Sequence, residues 1–470
     1  MVIKTNREEL QIELQDLANL FGTHEEIEII HDEQKNSTMV VNQFVFKNTF
    51  TNEEKQYSFS YNLDENLSDL EKKSLIKKMV KNHLYLILSK ELKIQLPWGS
   101  LTGVRPTKLI RDMIEKGQTK EYLVCETLQN MFYVSPQKAK LVANILKNQK
   151  CIIRNDNLID LYVNIPICPT RCLYCSFISH QLSSLGEEKV NKYLDCLEKE
   201  IQAVKKIIFN KAYIVRTIYV GGGTPSVLND NQLERLMQML NFSVDEKTVE
   251  CGRADTITSS KLDILKKYGV TRISINPQTF SQTTLKRIGR SHTNKQIFDA
   301  YTMALERGFI VNMDVIAGLP MEKLGTFKKT CKTLIELYPH NITVHTLSVK
   351  RGAQLKDQTE IINTKDINKM MDFAHDLLAE NGYKPYYMYR QKNQLGGLEN
   401  VGYFRDDFVC KFNIDSMEET NTVIGVGAGA MSKRVFNLEN RIERQHNVKF
   451  INDYCDRIDS IIEEKRKFYK

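Results

Sequence analysis

The chain has 470 residues, 41% of them hydrophobic and 26% charged, with a net charge of +8 at pH 7. That length exceeds one ordinary domain and points to a core domain with appended segments. Basic and acidic residues are interspersed, so the modest positive balance argues against nucleic acid as a partner, and no apolar run approaches the roughly 20 residues of a membrane span. Ten cysteines at irregular spacing do not read as a disulfide framework. The N-terminus carries acidic residues where a signal peptide needs an apolar core, so the expected location is a reducing cytoplasm.

Residues 1 to 150 read as an α+β accessory domain. A helical segment from Glu8 to Phe21 precedes strand-like runs at Glu26 to Ile30, Met39 to Phe46 and Gln56 to Tyr61, the last with period-two alternation. Leu75, Met79, Val80, Leu84, Ile87 and Leu88 share one helical face. A turn-rich stretch from Pro97 to Leu109 places Arg105 and Lys108 beside Gly103, an arrangement able to meet an anion but more simply read as a packing loop. Helices are expected over Glu121 to Tyr133 and Pro136 to Lys147.

From Leu158 strands and helices alternate. The strands are Leu158 to Ile165, Ile214 to Val220, Thr248 to Cys251, Val270 to Asn276, Phe309 to Ala317 and Asn341 to Thr346. Repeated βα units imply a parallel sheet with right-handed crossovers. The expected fold is therefore α/β: a partial (βα)6 TIM-like barrel over 151–350, the α+β domain before it, and a C-terminal α/β extension over 351–470. The last helix, with Ile451, Tyr454, Cys455, Ile458, Ile461 and Ile462 on one face, reads as a packing element.

The first strand runs into a loop in which Cys168, Cys172 and Cys175 follow a C-x3-C-x2-C spacing. A redox dithiol, a Cys3His zinc site using His180, and a [4Fe-4S] cluster with one iron lacking a protein ligand are all compatible with the loop alone. Downstream, the second strand ends in Gly221, Gly222, Gly223 and Thr224, the third near Glu250, the fourth at Gln278 and the fifth at Asp314. Each alone is an ordinary strand-end turn or buried polar residue. In a barrel, strand ends of this kind are where a site is built.

CPTRCLYC, IYVGGGTPS, SINPQT, Arg290 and VNMDVIAGLP resemble the radical S-adenosylmethionine (SAM) enzymes, specifically the oxygen-independent coproporphyrinogen III oxidase family. The resemblance covers residues 158 to 435, and ECGRADTIT, GVTRISINPQT, YRQKN and LTGVRPTKL look most like its HemZ-like branch. It implies a [4Fe-4S] cluster held by Cys168, Cys172 and Cys175, with SAM on the fourth iron. It further implies SAM contacts from Tyr162, Tyr174, Gly222, Gly223, Thr224, Glu250, Gln278, Arg290, Asp314 and Met431, with Arg290 on the SAM carboxylate and Asp314 and Gln278 on the ribose. The implied activity is oxidative decarboxylation of coproporphyrinogen III propionates to vinyl groups in heme biosynthesis. The implied electron donor is a reduced flavodoxin or ferredoxin.

Two departures bear on the substrate. Phe177 stands where decarboxylating members carry a fourth cysteine, a pattern shared with a heme-carrying branch, yet Glu399 stands where that branch has a histidine before the asparagine. Heme binding or transfer, and a heme-modifying methyltransferase of the same family, are the alternative expectations. Residues 386–397 and 399–404 are expected to form a lid, with Arg351, Arg390 and Lys392 available to propionates.

Overall fold

The computed structural model describes residues 1–22, 26–36, 39–103, 105–175, 180–348, 364–391, 394–439 and 441–470. Phe177, Arg351 and Lys392 lie outside the described residues. The chain divides into two compact units: Met1–Asn144 with Arg390–Lys392 and Gly396–Leu398, and Ile145–Tyr389 with Asn393–Leu395 and Glu399–Lys470.

In the first unit, β1 (Val2–Thr5), α1 (Gln11–Asn19), β2 (Ile27–Lys35), β3 (Met39–Asn48) and β4 (Glu53–Asn62) lead into α2 (Asp69–Leu92). The sheet order is β1-β2-β3-β4, parallel at the first pair and antiparallel at the others. Alternation along β3 turns Val40, Phe44 and Phe46 inward, against Leu14 and Leu17 of α1 and Val80, Leu84 and Leu88 of α2. Helix α2 starts where sequence chemistry dictates, at a capping box between Ser68 and Glu71. Three more helices follow, α3 (Pro106–Glu115), α4 (Val124–Phe132) and α5 (Pro136–Asn148). Arg390 is buried in this unit, donating to the carbonyls of Leu101 and Gly397 and lying 5.1 Å over the Trp98 ring. Its guanidinium is thus engaged with backbone.

The second unit is built on one large sheet. Its strands and helices are β5 (Leu158–Ile165), the short β6 (Ile167–Cys168) and β7 (His180–Gln181), α6 (Leu182–Asn210), β8 (Ile214–Gly222), α7 (Asp230–Met239), β9 (Glu246–Glu250), α8 (Ser259–Lys267) and β10 (Arg272–Ser274). Then come α9 (Gln282–Arg287), α10 (Asn294–Glu306), β11 (Ile310–Ala317), α11 (Leu324–Leu337), β12 (Asn341–Thr346), α12 (Thr364–Glu380), β13 (Lys384–Arg390) and β14 (Glu399–Phe404). The chain closes with α13 (Lys411–Glu418), β15 (Thr422–Val426), β16 (Met431–Phe436), β17 (Arg441–His446), α14 (Ile451–Asp456) and α15 (Ile458–Phe468).

Strands β5, β8, β9, β10, β11 and β12 lie side by side in chain order, all parallel. Nearly every residue of β5 and β12 is buried, as expected of strands covered on both faces by crossover helices. The sheet continues past both ends of this parallel set. Beyond β5 lie β15, also parallel, then β16 and β17; beyond β12 lie β14, antiparallel to it, and β13. Residues 399–404 are buried along their whole length as a strand of this sheet.

The final helical stretch is broken at Arg457, giving α14 and α15. The second of these inserts Lys465, 1% exposed, within 3.2 Å of Glu200 Oε1 on α6, itself fully buried. Lys465 also donates to the Gly425 carbonyl at 2.5 Å, while Glu200 accepts from the Gly427 amide at 2.8 Å, the Tyr454 hydroxyl at 2.6 Å and Asn447 Nδ2 at 2.8 Å. This satisfied pair fixes the turn between β15 and β16. Removing one member would strand a charge in the core, so Lys465→Met is expected to lower stability by about 3–5 kcal/mol. Urea unfolding of the full chain checks this, and a loss under about 1 kcal/mol would mean that Glu200 finds another partner or water.

Candidate active site

Five strand ends and one loop converge in the second unit, beginning at the β5–β8 pair. After β8 the chain passes so close to β5 that side chains are excluded. A Cβ on Gly222, whose φ is +97°, would land on Asn164 Oδ1, and one on Gly223 would sit 2.5 and 2.6 Å from the carbonyl oxygens of Ile167 and Ile165. Gly223 and Thr224 donate their amides to Ile165 and Ile167 at 2.9 and 2.8 Å, which ties this turn to the start of the cysteine loop. Thr224 Oγ1 reaches Cys168 Sγ at 3.5 Å.

The loop itself docks on the segment after β10. Leu173 donates its amide to Ile288, Thr170 donates its hydroxyl to Gly289, and Arg253 donates to Thr170 at 2.8 Å while bound bidentately to Asp255. Cys168, Cys172 and Cys175 are all half-buried, and none of the chain's ten cysteines is in a disulfide. Arg290 lies against Cys172 and hydrogen-bonds its sulfur. Burial opposes the guanidinium charge, but Tyr174 and Cys172 outweigh it and keep the group firmly protonated. Its Nη atoms also donate to the Asn276 and Gly252 carbonyls. Tyr174 packs on Leu285, Ile288, Ile316, Leu319 and Leu347, and burial pushes its hydroxyl up.

Among the described residues, no three His, Cys, Asp or Glu side chains stand close enough to hold a single metal ion. A mononuclear zinc site therefore lacks its ligand set in these residues, and His180 Nε2 has no hydrogen-bond partner. A four-iron cube binds each thiolate through a different iron, so it asks for donors set further apart, and soft sulfur is the donor it takes. Three cysteine sulfurs on one loop are donors of that kind. Elsewhere, Cys196 meets Cys455 and Cys410 lies 3.2 Å from Glu246.

Glu250, at the end of β9, accepts from the Tyr219 hydroxyl at 2.6 Å and from the Gly222 amide at 3.2 Å. Burial pushes its carboxyl up to about 7, with Asp314 adding to the effect. Burial also works against the Asp314 charge, but His345, Asn312 and Thr343 hold this carboxyl below the usual range. Asn312 donates at 2.7 Å and His345 Nε2 lies 3.5 Å from Oδ2. Gln278 adopts a left-handed φ of +64° and keeps a buried Oε1 with no partner. Gln278 thus combines a left-handed backbone with an unmet buried acceptor in the turn beyond β10.

Tyr162 and Tyr219 stack with Phe412, with ring centroids 6.1 and 4.5 Å from it, and Tyr162 donates to Asn164 at 3.2 Å. Met431 opens β16 directly against Gly425. The structure thus gathers Gly222, Glu250 and Asp314 around one set of contacts, with Tyr162 beside Gly222. Arg290 and Tyr174 form a second set at the cysteine loop, while Gln278 is tied by backbone hydrogen bonds to Asp314 and Ile316. Sequence reasoning named neither Asn164, Tyr219, His345 nor Phe412. His345 alone had a usable signal, a polar side chain at the end of the sixth strand.

Residues 162–334 match the radical SAM superfamily, whose members use SAM with an iron–sulfur cluster. Over 97% of its length the chain is 34% identical to the oxygen-independent coproporphyrinogen-III oxidase-like protein HemZ of Bacillus subtilis, covering 94% of that protein. It is 31% identical to the heme chaperone HemW of Lactococcus lactis over 57% of this chain and 68% of that one. Among solved structures, coproporphyrinogen III oxidase (HemN) from Escherichia coli superposes with a TM-score of 0.52 at 23% identity, over 67% of this chain and 72% of that one. The fold is of the radical SAM α/β type. The chain belongs to the HemZ-like oxygen-independent coproporphyrinogen III oxidase family within that superfamily.

The close approach at Gly223 is itself testable. Gly223→Ala must push backbone against backbone, and it is expected to cost about 1–3 kcal/mol, read as a lowered unfolding midpoint. An unchanged midpoint would show that the β5–β8 contact can relax.

Proposed function

We propose that this protein is a radical SAM oxidoreductase that converts propionate side chains of coproporphyrinogen III to vinyl groups without oxygen, giving protoporphyrinogen IX. The observation that carries this reading is the docking of a three-cysteine loop near the half-buried carboxylates of Glu250 and Asp314 at strand ends, with Arg290 against Cys172 and the unmet oxygen of Gln278. Similarity to the Bacillus subtilis HemZ over nearly the whole chain supports it. The six parallel strands from β5 to β12 serve as a partial (βα)6 barrel.

Cys168, Cys172 and Cys175 would hold the cluster. When bound, the cluster and SAM would supply the radical chemistry for hydrogen-atom abstraction from a propionate, which would then lose CO2 and pass one electron to an acceptor to leave the vinyl group. Glu250 faces the SAM ammonium: an ammonium needs acceptors, and the nearby amides of Gly222, Gly223 and Thr224 are already engaged inside the protein. Arg290 suits the SAM carboxylate through charge-assisted hydrogen bonds. Asp314 and Gln278 accept from the ribose hydroxyls, while Tyr174 and Met431 border the cofactor. Tyr162, Tyr219 and Phe412 form a stacked aromatic cluster beside Glu250 that would help to exclude water. The electron comes from a reduced flavodoxin or ferredoxin.

Likeness to the Lactococcus lactis heme chaperone supports a second reading, in which the cluster-bearing protein binds heme. Anaerobic turnover separates the two. Reconstituted protein with SAM, a reductant and coproporphyrinogen III is expected to yield protoporphyrinogen IX by mass. SAM cleavage with no tetrapyrrole product removes the decarboxylase reading, and stoichiometric heme on the purified protein then favours the second. Cys172→Ala is expected to abolish the cluster's visible absorption after anaerobic reconstitution; a normal spectrum would remove Cys172 as a ligand.

The pH dependence of SAM binding follows from Glu250. Its carboxyl is neutral below about 7 and anionic above it, and only the anion pairs with an ammonium. Affinity should therefore rise several-fold between about pH 6 and pH 7.5, measured calorimetrically on the oxidised protein. Glu250→Gln should flatten the rise, and a profile unaltered by that substitution would assign the pH dependence elsewhere.

A further inference from the structure

A buried acid that the proposed chemistry does not use lies in the turn between β11 and α11. Glu322 is 7% exposed, and its Oε1 accepts from the Thr279 hydroxyl at 2.6 Å. The groups that hydrogen-bond this carboxyl are the hydroxyls of Thr279 and Thr284, with no cation among them. Burying an acid without an ion pair is costly, so the hydrogen bonds it makes are where its value lies. Thr279 is itself fully buried and directly follows Gln278.

Thr279 is held from three directions. A hydroxyl has one proton to donate, and Thr279 gives it to Glu322 while accepting the Ser281 amide at 3.1 Å. Thr330 of α11 lies 3.2 Å from the same oxygen, and its own oxygen takes the Phe280 amide at 3.2 Å. On the other side of the peptide, Gln278 donates its amide to the Asp314 carbonyl at 2.9 Å and accepts from the Ile316 amide at 3.0 Å. Between these two clamps Gln278 has a φ of +64°. For a residue with a Cβ that left-handed conformation is unfavourable and persists only where the surroundings impose it. The bonds to β11 fix where Gln278 lies, and Thr279 fixes the direction in which the chain leaves it. Glu322 is the acceptor that locks the Thr279 side chain.

We propose that Glu322 is a positioning residue: by holding the Thr279 hydroxyl it keeps Gln278 in its left-handed conformation, the one in which the buried Gln278 Oε1 stays unmet within the protein and open to a SAM ribose hydroxyl. The inference rests on the reading above in which Gln278 accepts from the ribose. Glu322 bonds threonine hydroxyls rather than SAM, so its contribution reaches the cofactor through Gln278.

The test is a double-mutant cycle on SAM affinity, measured calorimetrically on the oxidised, cluster-loaded protein. Glu322→Ala should weaken binding by about five- to tenfold, while Glu322→Gln, which keeps an acceptor for Thr279, should stay within about twofold of the wild type. Gln278→Gly takes up a left-handed φ at no steric cost but presents no carboxamide. It should bind SAM more weakly than the wild type, and adding Glu322→Ala to it should lower affinity by less than about twofold more. Thr279→Val removes the hydroxyl while keeping the side-chain shape, and it should weaken binding as Glu322→Ala does, so the cycle can be closed with it if Glu322→Ala does not fold. A merely structural role would weaken binding equally in the wild-type and Gln278→Gly backgrounds. Equal losses in the two backgrounds, no loss in Glu322→Ala or Thr279→Val, or wild-type affinity in Gln278→Gly each overturn the inference and leave SAM binding standing. Wild-type protein that binds no SAM overturns both.

Discussion

The site depends on how closely two neighbouring strands can approach where β8 leaves the sheet. Three successive glycines let the chain press onto β5 until the Gly223 and Thr224 amides bond to Ile165 and Ile167, the residues that lead into the cysteine loop. One backbone arrangement therefore sets the position of Cys168, through Thr224, and of Glu250, through the Gly222 amide. Tertiary packing then does the rest. Around Cys172 the loop is held by Leu173 and Thr170 on the Ile288–Gly289 turn and by Arg253 beyond β9.

Buried charge supports this arrangement at two levels. The Glu200–Lys465 pair sits in a dry core, where its value lies in fixing one geometry rather than in net stability. It pins the turn after β15, and Asn164 of β5 reaches that same turn by donating to the Ala428 carbonyl. The last helix thereby reaches, through one lysine, the strand that underlies the cysteine loop. Closer to the cavity the charges are left less settled. Glu250 lies near the middle of the physiological range because burial disfavours its anion, a condition a cationic ligand would reverse. Incomplete satisfaction in the free protein is what binding energy can be drawn from.

Much of the second unit was legible because parallel, two-sided burial writes continuous apolar runs into the chain. Leu158–Ile165 and Asn341–Thr346 coincide with the expected strands. Others moved at their ends: β8 extends to Gly222, since glycines read as a turn can still pair, and β10 shrinks to Arg272–Ser274. The cysteine spacing and strand-end acids were visible because they interrupt apolar runs. Asn164 and Tyr219 were not, since each looks like an ordinary interior strand residue until the fold brings Ala428 or Glu250 to it. Arg390 shows the converse: a cation beside aromatic residues invites a ligand on paper, yet its hydrogen bonds run to the Leu101 and Gly397 carbonyls. The break at Arg457 left no glycine or proline to announce it.

The central claim is that the three-cysteine loop carries a cluster whose open iron takes SAM. Electron paramagnetic resonance of the reduced, reconstituted protein, recorded with and without SAM, tests it most directly. A cluster signal that changes its g values on addition of SAM is the expected result. A signal indifferent to SAM, or no cluster signal at all, would contradict it.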